Sequence, residues 1–310
     1  MRKKLKPLHE FYPSKREVCY ESVSSFKYPF TTMSDLMMLR FSPFVAWCTD
    51  ALQIMRLYEM AYVVVRTVDD VADEGDSLEG EKYLSEILDF LQTDRDPKTD
   101  NEHLLQHICD VGQTLGRNVD TLQEAFINIF SCVYGDAQRR TSARKGDVVI
   151  RSEQEIESYV RQMELEGIFA LLFEIFGEEH TKLESFWSLV KAGRLHFYLL
   201  RDVVEDVAEG LINIPQEYVK DEKEMIRIAQ ELERVKDISM SERLKKIKEF
   251  TDQVPELQEW VRDMVVTGKK ELQKHKKQKL TLRFRTRMLV WGSSRRTSIF
   301  FEKASNVLLK

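Results

Sequence analysis

Residues 44–76 read FVAWCTDALQIMRLYEMAYVVVRTVDDVADEGD, and this stretch decides the fold. From Phe44 to Val65 the only charges are Asp50, Arg56 and Glu59. A helix so apolar on nearly every side belongs in the middle of its domain. Ser42-Pro43 supplies a start for it, an N-cap residue followed by proline in the first turn. The apolar run passes directly into Arg66-Thr-Val-Asp69-Asp70-Val-Ala-Asp73-Glu74, and Gly75 stops it.

The rest of the chain has the same character. Twelve glycines and seven prolines in 310 residues are about half the usual share. Between Pro43 and Pro255 stand only Pro97 and Pro215, so nothing in residues 98–214 carries a ring that breaks a helix. Apolar spacing and end signals predict helices at roughly 80–93, 101–115, 119–142, 153–176, 181–209, 215–236, 240–274 (broken near Pro255) and 280–306. The one strand candidate, Asp147-Val-Val-Ile150, is too isolated for a sheet. The expected fold class is all-α, one bundle of about eight to ten helices.

With 43% hydrophobic residues the chain can bury a large core, yet no apolar run approaches the roughly 18–20 residues of a membrane span. The basic start MRKKLKPLHEFYPSKREV lacks the apolar segment of a secretory signal. Cys19, Cys48, Cys109 and Cys132 are dispersed without metal spacing, so reduced thiols and a cytoplasmic location are expected. The net charge of −5 divides unevenly: residues 269–296 carry +10 and the remainder −15. A basic end on an acidic body suits a polyanion, an anionic membrane surface or a diphosphate; a solvated helix face is the bland alternative. No nucleic-acid module is recognisable, so nucleic acid is not expected as a partner.

One internal echo carries chemistry. Residues 66–75 read RTVDDVADEG and residues 201–210 read RDVVEDVAEG, each after an apolar helical stretch and each ending at glycine. Asp69 and Asp73 are four apart and so share a helical face; Asp202 and Asp206 repeat the spacing. Like charges placed so repel, and the helix C-terminal dipole makes them worse. A magnesium ion resolves the conflict, since it takes one or two carboxylates plus waters and phosphate oxygens. Arg66 and Arg201, which open the two segments, are suited either to phosphate oxygens or to holding the aspartates in place.

These motifs resemble the squalene/phytoene synthase family, the head-to-head isoprenyl diphosphate synthases. Arg66 to Asp76 is similar to the family's first aspartate-rich motif, and Leu200 to Gly210 with Ile214-Pro215 to its second. Asp136, Glu155-Ile156 and Tyr159 match the family's intervening residues, and Phe26-Lys-Tyr28-Pro29-Phe30 resembles the entry segment of the bacterial hydroxysqualene synthase branch. The resemblance implies a single-domain isoprenoid synthase bundle around a central apolar cavity, over residues 21–310 behind an N-terminal extension, 1–20. It further implies magnesium on Asp69, Asp73, Asp202 and Asp206, and Tyr159 near the reacting carbons. Arg66, Asp70, Arg201, Glu205, Phe26, Tyr28 and Tyr198 are the expected substrate-binding residues.

The implied reaction is the ionisation of an allylic prenyl diphosphate, farnesyl or geranylgeranyl, and its coupling to a second chain. The second motif departs from the family pattern, with Leu195 and Tyr198 in place of Gln and Asn, and Leu211 and Asn213 in place of Arg and Tyr. These departures leave a second reading open, in which one diphosphate is ionised and the cation cyclises, takes up water or meets another acceptor. A third is a non-catalytic assembly factor of the same superfamily. Lys274, Lys277, Arg283 and Arg287 are candidates to meet phosphate, or to favour a peripheral membrane position. His103 and His107, four apart in EHLLQH, more commonly serve structure than metal.

Overall fold

The computed structural model describes residues 52–74, 77–93, 95–233, 239–278 and 282–309. Among the described residues every regular element is helical and no strand occurs. The helices are α1 (Leu52–Glu74), α2 (Ser77–Gln92), α3 (Asp100–Thr114), α4 (Val119–Arg144), α5 (Glu153–Val160), α6 (Ala170–Phe176), α7 (Trp187–Val190), α8 (Leu199–Ala208), α9 (Glu222–Glu233), α10 (Met240–Gln253), α11 (Leu257–Lys277) and α12 (Phe284–Leu308). Two stretches, Arg161–Phe169 and Lys191–Tyr198, are π-helical, and a 3₁₀ segment, His180–Phe186, precedes α7. The chain therefore departs from simple helices at 153–176 and 181–209, because each holds a wider turn. The Ser42-Pro43 helix start lies outside the described residues, and Asp147–Ile150 is irregular.

Local chemistry explains the boundaries. Thr99 and Glu102 form a capping box at the start of α3, and Ser152 and Glu155 form another at the start of α5. The helix expected from residue 215 begins instead at Glu222. Asp221 takes the Glu224 amide on its side chain at 3.0 Å, which caps that start.

The described residues divide into two compact units. The first comprises those up to Ala137 together with Glu166–His180. Its centre is α1, which packs against α2, α3 and α6. Leu57, Met60, Ala61, Val63, Val64 and Val68 are each at most 2% exposed, so α1 is buried on more than one face as its sequence required. Tyr58 of α1 stacks on Phe176 at 5.7 Å.

The second unit comprises Gln138–Leu165 and the described residues from Thr181 onward. Here α8 packs against α9, α10 and the π-helical stretch Lys191–Tyr198, while α11 and α12 pack on that stretch and on each other. Phe197 meets Phe300 with ring centroids 4.5 Å apart. Gly268 of α11 permits a close approach: a Cβ there would lie 2.1 Å from Cζ of Phe301 and 2.9 Å from Cβ of His196.

Candidate functional site

In the first unit α1 buries its apolar length and turns acidic in its last two turns. Arg66 Nη1 donates to Asp69 Oδ2 at 2.7 Å, and its Nη2 lies 2.5 Å from Asp70 Oδ1. The Asp69 side chain is about a third exposed. One arginine thus holds two neighbouring carboxylates from its own helix, at i+3 and i+4, the spacings at which helical side chains meet. Asp73 lies in α1, and its side chain lies outside the described residues, as do Phe26 and Tyr28.

In the second unit α8 buries Leu200, Val203, Val204 and Val207, which turns Arg201, Asp202, Glu205 and Asp206 towards its other side. Asp202 Oδ1 accepts from Arg201 Nε at 2.7 Å and from Arg243 Nη1 at 2.6 Å, while Arg201 Nη2 donates to Oδ2. Oδ1 therefore has both lone pairs engaged and Oδ2 keeps one. Arg243 Nη2 donates to Glu205 at 3.0 Å. Asp206 accepts from Asn213 Nδ2 at 3.0 Å, and Asn213 Oδ1 accepts in turn from Arg139 at 2.8 Å. The helix is closed at Gly210, whose φ of +81° lets the Leu211 amide return to the Asp206 carbonyl at 2.8 Å.

Electrostatics follow from this crowding. Burial, together with the charges of Asp202, Glu233 and Glu209, pushes the Glu205 carboxyl up to about 7, against a lowering by Arg201. Burial opposes the Arg201 charge, but the Asp202 carboxylate more than offsets it and holds the guanidinium protonated. Burial pulls Arg243 down to about 10, so it remains a cation at neutral pH.

Sequence reasoning missed Arg139, on α4, and it also missed Arg243, on α10. Arg243 stands among ordinary surface charges in SERLKKIKEF, and no local signal separates it from Lys245 or Lys246.

The remaining candidates have defined places. Tyr198 ends the second π-helical stretch, with the guanidinium carbons of Arg194 and Arg201 each 4.1 Å from its ring centroid. Tyr159 is half-buried on α5 with Arg151 over its ring at 4.4 Å. Leu195 is half-buried and Leu211 is buried. Glu102 of EHLLQH is fully buried and paired with Arg95 at 2.6 Å, and His103 is buried beside it in sequence. Lys274 and Lys277 lie in the last turn of α11, where cations complement the helix dipole. Arg283 and Arg287 are exposed.

Among the described residues no group of three or more acidic, histidine or cysteine side chains converges as a ready metal cage. Magnesium does not require one: two hard carboxylate donors with waters and substrate phosphates suffice. Asp202, Asp206 and Glu205 supply hard oxygen donors of the kind that ion takes, at a helix end where Arg201 and Arg243 already answer Asp202 and Glu205. No family model matches the chain, and neither the curated proteins nor the solved structures include a match.

Proposed function

We propose that the chain is a magnesium-dependent enzyme that ionises allylic prenyl diphosphates, of the squalene/phytoene synthase kind. The observation that carries this reading is one construction used at two helix ends. An apolar helix turns acidic, and the arginine opening each acidic segment bonds to its first aspartate, Arg66 to Asp69 and Arg201 to Asp202.

Asp69 and Asp73, and Asp202 and Asp206, are the residues that would hold magnesium. Bound magnesium would supply Lewis-acid stabilisation of a departing diphosphate. The chain's own part is positional. Arg201 and Arg243 fix the plane of the Asp202 carboxylate, and Asn213 fixes that of Asp206. Ion pairs prepared in advance need no reorganisation as charge develops on the leaving group.

Within this reading, a specific observation favours chemistry on a single diphosphate over head-to-head coupling. The positions where the family pattern has polar groups are here committed internally. Asn213 bridges Asp206 and Arg139, Leu211 is 3% exposed, and the Tyr198 ring is occupied by guanidinium groups.

The test offers farnesyl and geranylgeranyl diphosphate separately with magnesium, and measures diphosphate release and products by mass spectrometry. A product of twice the chain length supports coupling. A product of single chain length supports the second reading, and no release from either substrate removes both.

A further inference from the structure

Three side chains, Arg194, Tyr198 and Arg201, meet across the junction of the second π-helical stretch with α8. The Leu199 amide bonds to the Arg194 carbonyl five residues back, the mark of the wider turn. Arg194 stands four residues before Tyr198 and Arg201 three after it, the spacings at which helical side chains meet. Both guanidinium carbons lie 4.1 Å from the Tyr198 centroid. Arg296 of α12 is a third, more distant cation at 5.8 Å.

Each of the two close arginines has a carboxylate partner. Arg194 Nε lies 2.9 Å from Oε2 of Glu164, a buried acid in the first π-helical stretch. Arg201 forks onto Asp202. The result is a continuous chain, Glu164–Arg194–Tyr198–Arg201–Asp202, that begins in one π-helical stretch and ends at the acid pair.

We infer that Tyr198 is a positioning residue: its ring fixes the guanidinium plane of Arg201, and through that plane the carboxylate of Asp202. An arginine is attracted to a ring face by about 0.5–2 kcal/mol, enough to select one orientation among several. Carboxylate orientation in turn governs metal affinity, since partners behind a metal ligand commonly change affinity about 10–100-fold. The aromatic ring matters in this arrangement and the hydroxyl does not. The metal side of the inference rests on the function proposed above; the link from Tyr198 to Asp202 does not.

The experiment is a double-mutant cycle on the full chain, Tyr198→Leu and Asp202→Asn, read by urea unfolding without metal, with Tyr198→Phe as the conservative variant. The expected result is non-additivity of about threefold or more in the unfolding equilibrium constant, with Tyr198→Phe behaving as wild type. Additive effects, or a Tyr198→Phe variant as uncoupled as Tyr198→Leu, would overturn the inference. Calorimetric titration with magnesium chloride separates the two claims. Tyr198→Leu is expected to weaken binding about tenfold, and Tyr198→Phe to retain it. If Asp202→Asn leaves magnesium binding unchanged, the proposed function fails, and the cycle still judges the position of Tyr198.

Discussion

Arg243 donates from Nη1 to Oδ1 of Asp202 at 2.6 Å, across 41 positions of sequence. The same guanidinium reaches Glu205, so one buried cation of α10 gathers two carboxylates of α8. Replacement by methionine keeps much of the apolar stem and removes the charge. Asp202 keeps its bonds from Arg201 and Glu205 is substantially exposed, so loss of the guanidinium costs about 1–2 kcal/mol. Arg243→Met should lower the urea midpoint accordingly; an unchanged midpoint would show that the pair contributes nothing to stability.

The two acidic helix ends are expected to be needed for turnover, beyond the part that Asp202 plays in stability through Arg201 and Arg243. Asp69→Ala and Asp202→Ala should each reduce magnesium-dependent diphosphate release by about a hundredfold or more. Far-ultraviolet circular dichroism should remain that of a helical protein. Retention of full release by either variant would remove that aspartate from the proposed chemistry.

His196 is buried against α11, with Nδ1 3.3 Å from Sδ of Met264. Burial, and secondarily Lys191, pulls its pKa down from 6.5 to about 4, against smaller raising effects from Glu271 and Glu157. The unfolded chain therefore binds a proton between these values that the folded chain refuses. Stability from this group is complete above pH 6.5 and is lost as pH falls from 6.5 towards 4, by about 3 kcal/mol at most. Unfolding free energies measured between pH 4 and 7 should show this slope, and His196→Leu should flatten it.

Gly268 tests the packing around that histidine. A Cβ at this position would lie 2.1 Å and 2.6 Å from two ring atoms of Phe301, both far inside contact distance. Gly268→Ala should destabilise by about 1–3 kcal/mol through overpacking, in spite of alanine's better helix propensity. A melting temperature equal to or above wild type would mean that Phe301 moves aside without cost.

Much of the architecture was legible in the sequence, because the signals involved are local. Proline scarcity and apolar spacing predicted the helical runs, and Gly177 and Gly210 lie at helix ends with φ of +68° and +81°. Thr99 with Glu102, and Ser152 with Glu155, close capping boxes at the starts of α3 and α5, within one turn of chain. The acid pairs were legible for the same reason: residues four apart on a helix share a face wherever that helix lies. Arg66 on Asp69 belongs with them, since both partners sit within one turn.

Other features depended on the tertiary structure. Arg243 on Asp202 and Asn213 between Asp206 and Arg139 join residues that no local period relates. The π-helical stretches Arg161–Phe169 and Lys191–Tyr198 likewise interrupt helical runs that apolar spacing predicted as continuous. The sequence by itself determined where the helices run and which of their faces carry acids, because backbone hydrogen bonding and side-chain period act over a few residues. The tertiary structure alone decided which distant cation answers Asp202 and Glu205, Arg243 of α10. That choice belongs to side chains brought together by packing, and electrostatic attraction at 3 Å takes no account of distance along the chain.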